Sequence, residues 1–288
     1  MAVFHTWGFT FGILGNIISV MVYLAPMPTF IRIYKEKSTM GFDSLPYAVA
    51  LFSSMLWLYY ALLKTNVVLL ITINLFGCLI QTAYIFIFLI YASTKARNHT
   101  GKILGLMNVG LLCVIFAVTF FVFEGQTRAG VVGWICVAVS VCVFAAPLSI
   151  IFRVVRTRSV EFMPFPLSFF LTLSAIMWFA YGLFQKDLCV ALPNVIGFLL
   201  GMIQMLVYGI FRNKKLEIKA SAPPSTSITI PITTPISTIP IASNDHNPIS
   251  IKVVETPEIQ DTAAAAALPC SKPPHLHTPL PMLVCAAT

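Results

Sequence analysis

Six side chains of the 288-residue sequence carry hydrogen-bonding or aromatic chemistry where their neighbours are almost all apolar: Ser53, Trp57, Asn74, Ser174, Trp178 and Asn194. An indole offers a flat apolar face to the C–H face of a pyranose or furanose, and Asn and Ser both donate to and accept from hydroxyl groups. None of the six is charged, so what they imply is recognition of a neutral, polyhydroxylated solute rather than catalysis. Taken singly, each has a plainer reading. Asn and Ser in membrane helices often bond neighbouring helices, and a membrane Trp often belongs to an interfacial belt. Two Trp–Asn pairs at matching depth favour binding over packing.

The elements that must position these residues follow from composition. Apolar types make up 58% of the chain and charged residues only 10%, against about 25% charged in a soluble domain. With a mean hydropathy of +0.89, this reads as an integral membrane protein. Seven apolar spans are expected at 7–30, 44–63, 67–91, 103–123, 130–152, 164–184 and 189–211, none containing Lys, Arg, Asp, Glu or His. They must be helices, because lipid offers no partner for free backbone groups and the runs are twice the length of barrel strands. The apolar run near the N-terminus lacks a basic leader and is too long for a cleavable signal, so it is expected to remain in the mature chain. The cysteines, Cys78, Cys113, Cys136, Cys142, Cys189, Cys270 and Cys285, show no CxxC spacing. They read as small packing residues rather than a metal site or disulfide frame, and no cofactor is expected.

A formal charge of +8 would suggest nucleic acid in a soluble protein, but here the placement of the charges decides. One side of the membrane collects Arg32, Lys35, Lys37, Lys95, Arg97, Lys102, Arg153, Arg156, Arg158, Arg212, Lys214, Lys215 and Lys219; the other has Lys64, Arg128 and Lys186. By the positive-inside rule the first side is cytoplasmic, with the N-terminus outside and the tail inside. The sequon at Asn98 then lies where it cannot be glycosylated. Nucleic acid is not an expected partner; the lipid bilayer is.

Setting residue i against i+121 aligns Pro26 with Pro147, Arg32 with Arg153, Ser53 with Ser174, Trp57 with Trp178 and Tyr60 with Tyr181. After one deleted residue Asn74 meets Asn194 and Gly77 meets Gly197. Such repeats are a signature of transporter folds. The unit is three helices with a fourth between copies, so the copies run parallel. This predicts an all-α membrane protein with a 3+1+3 layout: 1–92, a linker helix within 93–127, 128–212, and a tail at 213–288. In both copies the Trp and Asn lie about 7–10 Å below the outer edge at 1.5 Å per residue. Ser53 and Ser174 lie one turn further in, Ser19 and Ser140 come near that depth, and Val22 and Val143 follow a turn deeper.

Prolines form a second constellation. Pro26 and Pro147 interrupt continuous apolar runs and read as hinges of an inner gate. Pro46 and Pro164, near helix starts, read either as gate members or as ordinary first-turn prolines. Tyr60, Tyr181 and Asp187 near the outer surface are placed to close the other side by hydrogen bonding. The absence of titratable groups in the spans points to passive movement, since proton-coupled carriers need one in the pathway. The Pro-, Ser- and Thr-rich tail is expected to be disordered, with Thr234-Pro235, Thr256-Pro257 and Thr278-Pro279 offering phosphorylation sites.

The stretches GNIISVMVYLAPMPTF, KEKSTMGFDSLPY, LFSSMLWLYYAL, LLITINLFGC, VFAAPLSI, VVRTRSVEFMPF and VALPNVIG resemble the plant SWEET sugar transporters of the nodulin and saliva type over about residues 7–212. SWEETs are a known example of parallel repeats related by an axis along the membrane normal. The resemblance implies a bidirectional sugar uniporter. Its pocket would be formed by Ser53, Trp57, Asn74, Ser174, Trp178 and Asn194, with Ser19, Val22, Ser140 and Val143 shaping the inner wall. A proline tetrad of Pro26, Pro46, Pro147 and Pro164 would let the halves rock. The motif wording is most similar to the subgroup that exports sucrose across the plasma membrane, with a hexose-preferring facilitator as the alternative. Homo- or hetero-oligomers with related transporters are a further expectation. A seven-helix receptor shares the span count but predicts no internal repeat.

Overall fold

The computed structural model describes residues 2–160 and 163–220, with side chains described for 6–160 and 163–212. Among these residues seven helical stretches are long and apolar enough to cross a membrane. The expected tail beyond Ala220, its three Thr-Pro sites, Cys270 and Cys285 lie outside the described residues, while 213–220, assigned to the tail from sequence, continue the last helix.

The first stretch is divided by Pro26 into α1 (Ala2–Leu24) and α2 (Met27–Glu36). Proline has no N–H to continue the ladder and its ring crowds the carbonyl four residues back. The chain instead makes a tight turn in which Ala25 N–H donates to Val22 O at 3.1 Å. In the second copy α7 (Gly125–Val143) and α8 (Ala145–Thr157) meet at Phe144. The break therefore precedes Pro147, which sits inside α8, because the crowded carbonyl belongs to Val143. Both α2 and α8 end on a left-handed residue, Lys37 (φ 52°) and Arg158 (φ 53°), which are 121 positions apart. Pro46 occupies the first turn of α3 (Leu45–Leu62). Pro164 caps α9 (Phe165–Phe184), which has Pro166 in its first turn. These prolines start helices rather than break them.

The third stretch is α4 (Val68–Tyr91). The fourth begins at Thr94 rather than near 103, as α5 (Thr94–Ile103), passes through a π-helical segment (Leu104–Leu111) and ends as α6 (Leu112–Val122). Ser93 explains the early start, its Oγ accepting from Ala96 N–H at 3.4 Å. Apolarity limits only the part that crosses lipid, so a polar turn with a good cap extends the helix beyond it. The last stretch, α10 (Leu188–Ala220), continues past Arg212.

Packing obeys the repeat. Helix α4 lies against α1 and α3, and α10 lies against α7 and α9. Between the halves α1 packs on α9 and α3 on α7. The repeat carries α1 onto α7 and α3 onto α9, so these two contacts are one contact made twice. The fourth stretch touches α3 through α5 and the π segment, where Asn108 Nδ2 donates to Ala48 O at 3.1 Å. Leu106 and Phe121 on this stretch are 78% and 83% exposed, as a lipid-facing helix requires.

The inner end of the first half is held by an aromatic stack, with Phe30 4.3 Å from Tyr84 and 4.8 Å from Tyr47 between ring centroids. Such pairs contribute about 0.5–1.5 kcal/mol each beyond area burial. Higher up, Gly77 lets α4 approach α1 and α3 so closely that a Cβ there would lie 2.7 Å from both Tyr23 Oη and Ser54 Oγ. Gly77→Leu is therefore expected to destabilise the first half by about 1–3 kcal/mol through overpacking, read as a lower melting temperature of the purified protein. A variant melting with the wild type would show that the three helices separate freely at this level.

Candidate functional site

Of the residues singled out for binding, Trp57, Trp178, Ser19, Ser140 and Ser174 bond to one another across the contact between the halves, whereas Asn74 and Asn194 bond within their own helices. Trp178 on α9 donates its indole N–H to Ser19 Oγ on α1 at 3.0 Å, and Trp57 on α3 donates to Ser140 Oγ on α7 at 3.3 Å. Each indole reaches across to a serine of the opposite half. The pairs are related by the repeat, since 19 and 140, like 57 and 178, differ by 121. Close approach is possible because Gly15 packs on the Trp178 ring, 3.1 Å from a would-be Cβ. Trp57, Trp178, Asn74 and Asn194 are all 0% exposed.

The asparagines are matched too. Asn74 Nδ2 donates to Leu70 O and Asn194 Nδ2 to Val190 O, both at 2.8 Å and both one turn back on the same helix. This leaves both Oδ1 atoms buried without a hydrogen-bond partner. A single back-bonded amide is ordinary in a membrane helix, but two at repeat-related positions, each with an orphaned acceptor, form a matched pair of unused groups. The serines break the match. Ser174 Oγ is 2.8 Å from Ser19 Oγ, whereas Ser53 Oγ is buried and unpartnered. Val22 and Val143 are both buried, Val143 packing on Ala50 of α3.

At the end of the bundle near the α9–α10 turn, the Tyr60 hydroxyl lies 2.8 and 2.7 Å from the two carboxylate oxygens of Asp187 and donates its proton there. The same carboxylate caps α10, accepting from Cys189 N–H at 3.1 Å and Val190 N–H at 3.3 Å. It also pairs with Lys64 Nζ at 3.2 Å. Tyr181, the repeat partner of Tyr60, has no such acceptor: its hydroxyl is buried without a hydrogen bond within 3.5 Å. The reason is sequence, since Val67 stands where the second copy has Asp187. Of the three residues expected at this end, the fold joins Tyr60 to Asp187 and leaves Tyr181 out.

Of the prolines, Pro26, Pro46 and Pro147 are buried and Pro164 is half-buried. Pro26 sits at a helix break and Pro147 just beyond one. Sequence reasoning missed two sets of residues. Lys64 was counted only as a charge, yet it completes the Asp187 cluster. Gly12 and Gly133, also 121 apart, receive the tyrosines of the opposite halves: a Cβ on Gly12 would lie 2.9 Å from the Tyr181 ring and one on Gly133 2.7 Å from the Tyr60 ring. The register that paired the tyrosines would have paired these glycines.

Known proteins resemble the chain over both copies of the repeat. A family profile described as "Sugar efflux transporter for intercellular exchange" matches twice, over residues 9–96 and 130–216. The chain is 61% identical to the bidirectional sugar transporter N3 of Medicago truncatula over 236 residues, covering 80% of this chain and 88% of that protein. It is 54% identical to the bidirectional sugar transporter SWEET11 of Arabidopsis thaliana over 231 residues, covering 78% and 80% respectively. Among solved structures, that of a eukaryotic SWEET transporter at 3.7 Å resolution superposes with a TM-score of 0.70 at 35% identity, covering 73% of this chain and 99% of that one.

The Asp187 cluster generates its own test. Asp187→Ala removes the helix cap, worth about 0.5–2 kcal/mol, together with the acceptor for Tyr60. Hydrogen exchange at the Cys189 and Val190 amides is expected to accelerate by about tenfold or more. Unchanged protection would mean that the carboxylate does not hold this end together.

Proposed function

The chain belongs to the SWEET family and is a multi-pass membrane protein that transports sugar; from that premise we propose that it is a passive, bidirectional uniporter for sucrose, and secondarily for hexoses, working by alternating access at the plasma membrane. The sugar binds in the layer of Ser53, Trp57, Asn74, Ser174, Trp178 and Asn194, with Ser19, Val22, Ser140 and Val143 as its inner wall. The N-terminus faces outward and the 213–288 tail faces the cytoplasm, in line with the distribution of Lys and Arg.

One observation carries this reading: the polar groups of the layer are satisfied across the half–half contact by only three hydrogen bonds, while Ser53 Oγ, Asn74 Oδ1 and Asn194 Oδ1 remain unused. With five of its six residues at 0% exposure, the layer admits a sugar only when the halves part. Parting breaks Trp178–Ser19, Trp57–Ser140 and Ser19–Ser174. Interhelical hydrogen bonds in a membrane average about 0.6 kcal/mol each, so the loss is on the order of 2 kcal/mol. Sugar hydroxyls take up the freed N–H and O–H groups and meet the unused oxygens, and the indole faces cover the C–H surface. An exchange this nearly balanced suits a carrier, because a tight site would not release its cargo.

Alternation follows from the two ends. Where Tyr60 and Asp187 meet, a hydrogen bond to a charged acceptor, worth about 1.5–3 kcal/mol, holds the halves together. At the other end the breaks at Pro26 and before Pro147 let α2 and α8 swing relative to α1 and α7. The expected spans hold no acidic or His residue, which supports movement down the gradient without proton coupling. The small Val22 and Val143, with Ala50 behind Val143, suit a disaccharide; together with the motif resemblance they favour sucrose over hexose alone.

Asn74→Ala and Trp178→Ala are each expected to reduce labelled-sucrose uptake at least tenfold with surface expression retained. Normal uptake by both would remove the pocket assignment. Wild-type influx and efflux of sucrose are expected at equal rates at acidic and mildly alkaline external pH. Inward-only transport that fails at alkaline pH would instead demand a coupled mechanism.

A further inference from the structure

Above the Tyr60–Asp187 closure lies a cavity of about 330 Å³, lined chiefly by Lys64, Thr65, Asn66, Gln126, Gln185 and Asp187. Its size falls at the lower end of the roughly 300–1,000 Å³ typical of small-molecule sites. Its chemistry is unusual for a membrane protein's mouth. The two charges face each other at 3.2 Å and neutralise one another, so the cavity favours neither an anion nor a cation. What remains are three amides and a hydroxyl. Gln185 Nε2 donates to Asn66 O at 3.3 Å, while the side chains of Thr65, Asn66 and Gln126 enter no hydrogen bond among the described residues.

A second recess, of about 210 Å³, shares Asn66 and Gln185 with the first and adds the aromatic residues Phe9 and Tyr181. Tyr181 supplies the independent observation. It is 1% exposed and its hydroxyl makes no hydrogen bond within 3.5 Å among the described residues, although Gln185 stands beside it in the same recess. The repeat partner Tyr60 spends its hydroxyl on Asp187, so the unused group exists on one side only. Amides, hydroxyls and aromatic rings without net charge are the same vocabulary as the mid-membrane layer, here assembled at the mouth.

We infer that this mouth is a second, shallow saccharide site, where a sugar is held by Asn66, Gln126 and Gln185 before the Tyr60–Asp187 closure opens or after it shuts. The inference rests on the proposed function only in taking sugar as the cargo. The site is weak, because Asn66 and Gln126 are exposed and water competes for every hydrogen bond. Its effect is to raise the local sugar concentration at the entrance rather than to drive the conformational change.

The test is saturation-transfer NMR with sucrose on full-length protein in lipid nanodiscs, in wild type, Asn74→Ala/Asn194→Ala, Gln126→Leu/Gln185→Leu and the quadruple variant. The Asn variant is expected to keep a weakened transfer signal that the quadruple variant loses. Loss of all signal in the Asn variant, or a signal in the quadruple variant equal to that of the Asn variant, overturns the second site. Uptake by the Asn variant separately reports the mid-membrane reading: wild-type transport there defeats that reading, and the second site is then judged by whether Gln126→Leu/Gln185→Leu lowers the wild-type signal. Should the Leu variants fail to fold, as shown by melting temperature, Gln126→Ala replaces them, since Gln126 is exposed at the first turn of α7 and its loss is expected to halve the residual signal; an unchanged signal again overturns the site.

Discussion

Two indole N–H groups, each buried and each able only to donate, find their acceptors on serines of the opposite half. In hydrocarbon an unsatisfied donor has no water to fall back on, so this demand draws α9 onto α1 and α3 onto α7. The glycines at 12, 15 and 133 follow from it, since bulkier residues there would hold the halves apart. The same bonds that close the layer are weak enough for thermal motion to break, and on the proposed mechanism they are also what a sugar would compete with.

The two halves share a backbone plan but not a polar plan. Lys37 and Arg158 end equivalent helices in the same left-handed conformation, and Asn66 and Lys186 adopt it in the turns that follow α3 and α9. Asp187 has no counterpart, so one tyrosine is tied and the other is not. At the inner end Phe30, Tyr47 and Tyr84 stack in the first half, whereas the second has Ser168 and Gln204 in place of Tyr47 and Tyr84. A parallel repeat would give an almost symmetric protein; these substitutions make the two halves chemically distinct, and the helix breaks, at Pro26 in one and at Phe144 in the other, differ in place as well.

This asymmetry bears on how a neutral carrier binds without trapping its cargo. Each orphaned oxygen, on Ser53, Asn74 and Asn194, raises the energy of the closed layer, and in the proposed site it would be relieved by a sugar hydroxyl. A fully satisfied layer would hold shut, and a layer with many orphans would not assemble. On the proposed mechanism, three oxygens without partners against three bonds made in this layer would keep the closed and bound states within the few kcal/mol that permit exchange.

Much of this was legible in the residues. Seven apolar runs without charges can only be membrane helices, and the 121-residue register paired Trp57 with Trp178 and Asn74 with Asn194 before any coordinates, because repeated packing demands repeated side chains. Pro26 marked its own break, since a missing N–H is a property of the residue alone. The break before Pro147, the extension of the fourth stretch to Thr94 and the role of Lys64 were not legible. Each depends on which carbonyl, cap or carboxylate lies nearby in space. By itself the sequence determined the helices and their repeat, both consequences of a one-dimensional pattern meeting a bilayer of set thickness. Only the tertiary structure decided that each Trp bonds to a serine of the other half, and that Asp187 holds Tyr60 and not Tyr181, because a hydrogen bond is made only between groups that the fold brings within about 3 Å.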